Sequence, residues 1–220
     1  MSFYTNINKL GDSLLYRGYS DDGKRITKKV SFDPTLFLPS QKKSEWKGLD
    51  GVSVEPITFS GLKDAVNFTK RYAGTSNFKI YGNQNYIAQY ITSRWPNEIK
   101  FDRSKINVTS FDIEVESGDG FPEPSLAEQP VISIVTKNNI DNVYYVWALK
   151  DFDKEKSYMK DNPIVFIKCK NEIELLSKFI LFWSHEKYCP DVITGWHIRF
   201  FDIPYLMNRI TKILGKDQAN

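Results

Sequence analysis

The chain has 220 residues, enough for one large domain or two modest ones, and its 41% hydrophobic and 15% aromatic content argues for a packed core over a disordered tail. With 30 basic against 27 acidic residues, the net charge of +3 is too mild to identify a nucleic-acid partner. Cys169 and Cys189 are the only cysteines and form no CxxC, which argues against a disulfide scaffold or a cysteine zinc site and fits a reducing cytoplasm. The start, Met1 to Leu10, lacks signal-peptide character, and no apolar run approaches the ~20 residues of a membrane span.

In chain order, Phe3, Thr5 and Ile7 alternate with polar neighbours as in a strand, and Ser13 to Ser20 is a second strand. Asp21 to Lys24 is a turn, and Arg25 to Phe32 has the two-residue period of a half-exposed antiparallel strand. Pro34 and Pro39 bracket an extended stretch, and the polar run Gln41 to Gly51 reads as a loop. Ser60 is expected to cap a helix running to about Ala73, and Asn77 to Tyr90 has strand-like composition. A polar stretch with Pro96 places a domain boundary near residue 105, giving domains 1–105 and 106–220.

The second domain opens with a strand, Ile106 to Glu116, followed by a Gly/Pro-rich loop from Ser117 to Pro130. Val131 to Lys137 and Asn142 to Leu149 read as a hairpin, and Asp151 to Pro163 as an exposed loop. Asn171 can cap a helix through about Lys187, with Leu175, Leu176, Phe179, Ile180 and Trp183 as its apolar stripe. Asp191 to Trp196 is a short strand, and Pro204 sits in the first turn of a last helix ending near Gly215. The fold class is therefore mixed α/β. A mainly antiparallel domain precedes three strands, a helical crossover, a strand parallel to the first, and a helix, the order of a ribonuclease-H-like sheet.

The informative chemistry is acidic. Residues two apart on a strand share a face, so Asp112 and Glu114 project together, roughly 7 Å apart, while Phe111, Ile113 and Val115 face the core. Two carboxylates on an apolar strand suit a hard divalent cation; the plainer reading is a solvated acidic edge face. Asp202 lies at the start of the last helix, where an ordinary N-cap is the plainer reading and a third acid facing the same site is the other, and the two roles do not exclude each other. Three acids around one or two metals suit phosphodiester hydrolysis.

Phe111-Asp112-Ile113-Glu114 resembles the first exonuclease motif of family B DNA polymerases. The run from Thr194 through Gly195, Trp196, His197, Phe201, Asp202 and Pro204 to Leu206 resembles the second, and the likeness continues to Gly215. Phe121-Pro122 is similar to the corresponding loop in polymerases of T-even-like bacteriophages, and Asp33 to Phe37 and Lys63 to Ala65 give a weaker likeness at the front.

The resemblance implies the front part of a replicative polymerase with an incomplete 3′–5′ exonuclease domain, working in the cytoplasm of a bacterial host. It implies Asp112, Glu114 and Asp202 as ligands of Mg²⁺, with Mn²⁺ as the other candidate, and single-stranded and primer-template DNA as partners. It also makes Phe121, His197 and Phe201 substrate contacts. For Phe121, a loop anchor beside proline is the equal alternative. His197 stands where the family usually has Asn and reads as a spacer or substrate contact, since a zinc site would want more His or Cys than the chain offers.

The family's third exonuclease motif, Tyr-x-x-x-Asp, has no counterpart among these residues, so nuclease activity is expected to be weak or absent; the family's palm, fingers, thumb and polymerase acids have none either, so polymerisation is not expected of the chain. The resemblance leaves open a split gene product, a natural truncation or a partial sequence, with a separate polymerase chain as a candidate partner in the first case. Two other readings are a single-stranded nucleic-acid-binding module built on Lys24, Arg25, Lys28, Lys29, Lys42 and Lys43, and a self-sufficient four-acid exonuclease lacking a good fourth acid.

Overall fold

The alternation at the start of the chain does build strands. The computed structural model describes residues 2–116, 118, 120–159 and 161–219, and it divides into two compact units, Met1–Asp102 and Arg103–Asn220. In the first unit, β1 (Phe3–Leu10), β2 (Ser13–Tyr19) and β3 (Arg25–Val30) pair antiparallel in that order. β4 (Thr35–Pro39), β5 (Trp46–Lys47) and β6 (Ser53–Thr58) form a second antiparallel sheet with β6 in the middle. Helices α1 (Leu62–Tyr72) and α2 (Tyr86–Arg94) complete the unit, whose core gathers Leu14, Tyr16, Leu36, Leu62, Ala65, Tyr86 and Tyr90.

Two expectations are corrected here. Ser60 does not cap α1. The cap position is Gly61, which has no side chain to offer, and the first free N–H groups go to acids from elsewhere in the unit: Lys63 N donates to Asp12 at 2.6 Å and Gly61 N to Asp33 at 3.0 Å. The stretch from Asn77 to Tyr90 is not a strand. Tyr81 forms only an isolated bridge to Phe37, and a helix starts at Tyr86 because Asn85 caps it, its side chain accepting from Ala88 N at 3.1 Å. Tyr86 and Tyr90 are both buried, at the four-residue spacing of a helix. Aromatic and β-branched composition points to a strand, but the cap and the spacing prevail.

The second unit is built on one five-stranded sheet. Its strands are β7 (Val108–Val115), β8 (Val131–Asn138), β9 (Tyr144–Ala148), β10 (Ile164–Lys168) and β11 (Val192–Thr194), in the order β10-β9-β8-β7-β11. β8 runs antiparallel to both β7 and β9, whereas β11 pairs parallel with β7 after the expected helical crossover through α3 (Glu172–Trp183). β10 is not foreseen in the sequence. Its apolar run pairs parallel with β9, reached by a connection whose described residues include a 3-10 turn at Lys154–Lys156.

Asn171 caps α3 as expected, accepting from Glu174 N at 3.0 Å. The helix ends at Trp183, short of Lys187, because the chain turns at Ser184 and brings Tyr188 back to stack on Phe182 at 4.2 Å. Helix α4 (Asp202–Leu214) stops at Gly215, whose φ of 93° is open to glycine, and the short α5 (Lys216–Ala219) follows. Ile134 and Trp147 from the sheet, Leu175, Leu176 and Phe179 from α3, and Tyr205 and Leu206 from α4 form the core. Each large side chain so buried contributes roughly 1.5–3 kcal/mol, which fixes α3 and α4 on the sheet and β7 at its centre.

Candidate active site

Along β7 the burial alternates as its period requires: Thr109, Phe111 and Ile113 are buried, and Ser110, Asp112 and Glu114 are exposed. The two acids thus share the open face. The ladder to β8 shifts register between Glu114 and Val115, a bulge that ends regular pairing at the acidic end of the strand.

On its other edge β7 is paired by β11 only as far as Ser110, opposite Thr194. The chain then leaves the sheet at Gly195, where a Cβ would lie 2.4 Å from the Phe111 carbonyl oxygen and 2.5 Å from Ile198 Cγ2. Only glycine allows so close a pass. Gly195→Ala is expected to lower stability by about 1–3 kcal/mol, measured by urea denaturation, because the strand backbone it strikes has no freedom to yield. A loss below 0.5 kcal/mol, the ~0.5 kcal/mol range of ordinary surface changes, would count against this packing.

Past Gly195 the chain makes a tight turn. His197 has φ 60°, in the left-handed region where Asn and His are enriched among non-glycine residues. Its carbonyl accepts from the N–H groups of both Phe200 and Phe201 at 2.9 Å. The position therefore makes a backbone demand that His meets as Asn would. The imidazole is exposed and its ring neighbours are Trp196 and Phe200.

Asp202 follows as the first residue of α4. The N-cap expected of it belongs to Phe201, and no side chain caps the helix. Asp202 is 3% exposed, and its Oδ1 accepts from Ile113 N at 3.3 Å. It occupies the strand edge that β11 leaves unpaired, at the residue between Asp112 and Glu114. Although Asp112 is exposed as a residue, partial desolvation of its carboxyl by the surrounding chain, then the Asp202 and Glu114 charges, hold that carboxyl above its ordinary value. Neither the Asp112 nor the Glu114 carboxylate has an ion-pair or hydrogen-bond partner among the described residues.

As the side chains stand, no group of three or more acids, histidines or cysteines among the described residues is gathered closely enough to hold a metal ion. The donor chemistry nevertheless fits one: three oxygen donors of like charge, two of them unpartnered, and one resisting ionisation through desolvation first and the other two charges second.

Of the residues expected to meet a substrate, Phe121 and Phe201 are brought together, with ring centroids 4.8 Å apart, and Phe121 is 82% exposed. His197 is not part of that pair. The loop carrying Phe121 is held by α4, the helix that also delivers Asp202. Tyr205 donates to the Gln129 carbonyl at 2.7 Å and accepts from Gln129 N at 2.9 Å. Asn208 donates to the Pro124 carbonyl at 2.9 Å, and Arg209 Nη1 donates to the Ala127 and Glu128 carbonyls at 3.0 and 2.7 Å.

Arg209 is itself locked to Glu172 at the start of α3 by two bonds of 2.7 Å, and Glu172 also accepts from Val131 N at 2.7 Å. Sequence reasoning does not single out Tyr205, Arg209 or Glu172 for this task. The available signal is a cation on the apolar stripe of α4, seven residues after Asp202 and four after Tyr205.

The basic residues of the binding-module reading are partly engaged within their own sheet. Lys28 lies 5.5 Å over the Tyr16 ring, Arg25 6.0 Å over Tyr19, and Lys24 pairs with Asp22 at 3.5 Å. No helix among the described residues is long and apolar enough to cross a membrane.

Known proteins resemble this chain. The DNA-directed DNA polymerase of Escherichia phage RB69 is 31% identical over 99% of this chain, and that of Enterobacteria phage T4 is 30% identical over 97%. The chain spans 26% of the length of each. The solved family B DNA polymerase of the archaeon Pyrobaculum calidifontis superposes with a TM-score of 0.65 at 18% identity, covering 98% of this chain and 33% of that one, and so shares the fold. The family described as DNA polymerase family B, exonuclease domain, matches residues 76–220. With that match spanning well over half of its length, the chain belongs to the exonuclease-domain family of the family B DNA polymerases.

Proposed function

We propose that residues 106–220 form the front part of a 3′–5′ proofreading exonuclease site, and residues 1–105 a separate N-terminal domain of the same replicative polymerase. The observation that carries this reading is the Asp202 hydrogen bond to Ile113 N, which brings a third carboxylate to the strand residue lying between Asp112 and Glu114. The substrate is the single-stranded 3′ end of a DNA primer in the cytoplasm of a phage-infected bacterium. Polymerisation belongs to polypeptide outside the matched quarter of the relatives, on a partner chain or on a continuation of this one.

Asp112, Glu114 and Asp202 would hold Mg²⁺ or Mn²⁺, which when bound supplies an activated water and stabilises charge on the attacked phosphate. The chain's own part is positional. β7 presents Asp112 and Glu114 on one face, the Ile113 amide fixes Asp202, and the Phe121–Phe201 pair offers aromatic surface to a frayed terminal base.

The test is thermal unfolding with and without Mn²⁺. Without metal, Asp112→Asn should raise Tm at neutral pH, because it removes a carboxylate that burial and like charges disfavour. A carboxyl whose folded-state pKa is raised is penalised above that value, and the penalty fades as pH falls through it towards the ordinary value. The gain from Asp112→Asn should therefore shrink on acidification. Mn²⁺ should stabilise the parent and leave the variant unmoved. Equal stabilisation of both proteins by Mn²⁺ would falsify the metal-site reading.

A further inference from the structure

The turn that leads into Asp202 carries two more residues with the makings of a ligand contact. Phe200 is 72% exposed although it is a large apolar ring, and Trp196, four residues earlier, is 86% exposed. The Arg199 guanidinium carbon lies 5.7 Å from the centroid of the Phe200 ring, and this cation has no ion-pair partner among the described residues. The His197 carbonyl accepts from Phe200 N and Phe201 N alike, which closes the turn just before α4. Phe201 packs on Phe121 with ring centroids 4.8 Å apart, whereas the Phe200 ring has Arg199 beside it.

We propose that Arg199 and Phe200 form a second contact for a single-stranded nucleic acid, engaging nucleotides upstream of the one at the Phe121–Phe201 pair. The ring stacks on a base and the guanidinium neutralises a neighbouring phosphate, a pairing of aromatic face and fixed cation that suits any base sequence. An unpaired cation and an open ring within three residues of a buried acid match that ligand in both shape and charge. The inference rests on the exonuclease reading and extends the strand path beyond the terminal nucleotide.

The experiment measures the anisotropy of a fluorescent oligothymidylate titrated with the 220-residue chain, in EDTA so that no cleavage occurs, over a series of salt concentrations. Phe200→Ala should weaken binding about 5–100-fold without changing the salt slope, and Phe200→Tyr should restore it. Arg199→Ala should weaken binding and flatten the log–log salt slope by ~0.7, the share of one phosphate contact.

If both alanine variants bind as the parent does while Phe121→Ala weakens binding, the second contact is wrong and the exonuclease reading stands. No binding by the parent at low salt overturns both. If Phe200→Ala leaves oligothymidylate binding intact and only disperses a self-associated form in sedimentation, the ring is a protein contact and the proposal fails.

Discussion

Glu172→Ala is expected to destabilise the chain by about 3–5 kcal/mol, the loss typical of stripping one partner from a buried ion pair. The pair is unusually complete. Arg209 is 7% exposed, meets Glu172 through two parallel bonds of 2.7 Å, and spends its remaining nitrogen on the Ala127 and Glu128 carbonyls. Removing Glu172 leaves the guanidinium uncompensated and orphans Val131 N at the start of β8. Arg209→Ala should cost a comparable amount and free the loop that carries Phe121.

The double variant Glu172→Leu/Arg209→Met separates two accounts of the pair. Were it an isolated ion pair, apolar replacement would be near neutral. Here three backbone groups depend on it, so the double variant should still lose about 1–3 kcal/mol for an orphaned donor or acceptor. Urea denaturation of the four proteins gives the full cycle. A loss below ~1 kcal/mol for Glu172→Ala would mean that the pair behaves as an exposed one.

This network shows which part of the site the sequence reveals and which part it hides. Asp112 and Glu114 are legible because strand period alone puts them on one face, and β7 has that alternation throughout. The return strand β11, parallel to β7, is legible from the helix that separates them. The second aromatic of the Phe121–Phe201 contact is harder to see, because 80 residues separate the rings and only the packing of α4 closes the distance.

Asp202 is open to two readings from sequence for a specific reason. An acid at a helix start resembles an N-cap, but whether its oxygen turns to its own helix or to a neighbouring strand depends on how far β11 extends. β10 is obscured likewise. Its five residues carry no two-residue alternation, as expected of a strand whose pairing is parallel, so periodicity gives no signal there. Composition misleads over Asn77 to Tyr90, where capping by Asn85 decides the matter locally.

Asp202 yields the second large effect, because its two roles separate in two substitutions. The carboxylate serves the fold as an acceptor for Ile113 N and, in the proposed reaction, the metal as a negative oxygen. Asp202→Asn keeps an acceptor of the same shape and removes the charge that pushes against Asp112, so stability should hold or rise slightly. Asp202→Ala leaves a buried strand N–H unpaired and should lower stability by about 1–3 kcal/mol.

Both variants lose a ligand, so Mn²⁺ affinity, followed by electron paramagnetic resonance of the free ion, should fall in each by at least the ~10–100-fold that removing a group behind a ligand produces. Alanine then shows both losses, and asparagine shows only the second. If asparagine binds Mn²⁺ as the parent does, Asp202 is a structural acceptor alone, and the carboxylates of β7 must find their third partner elsewhere.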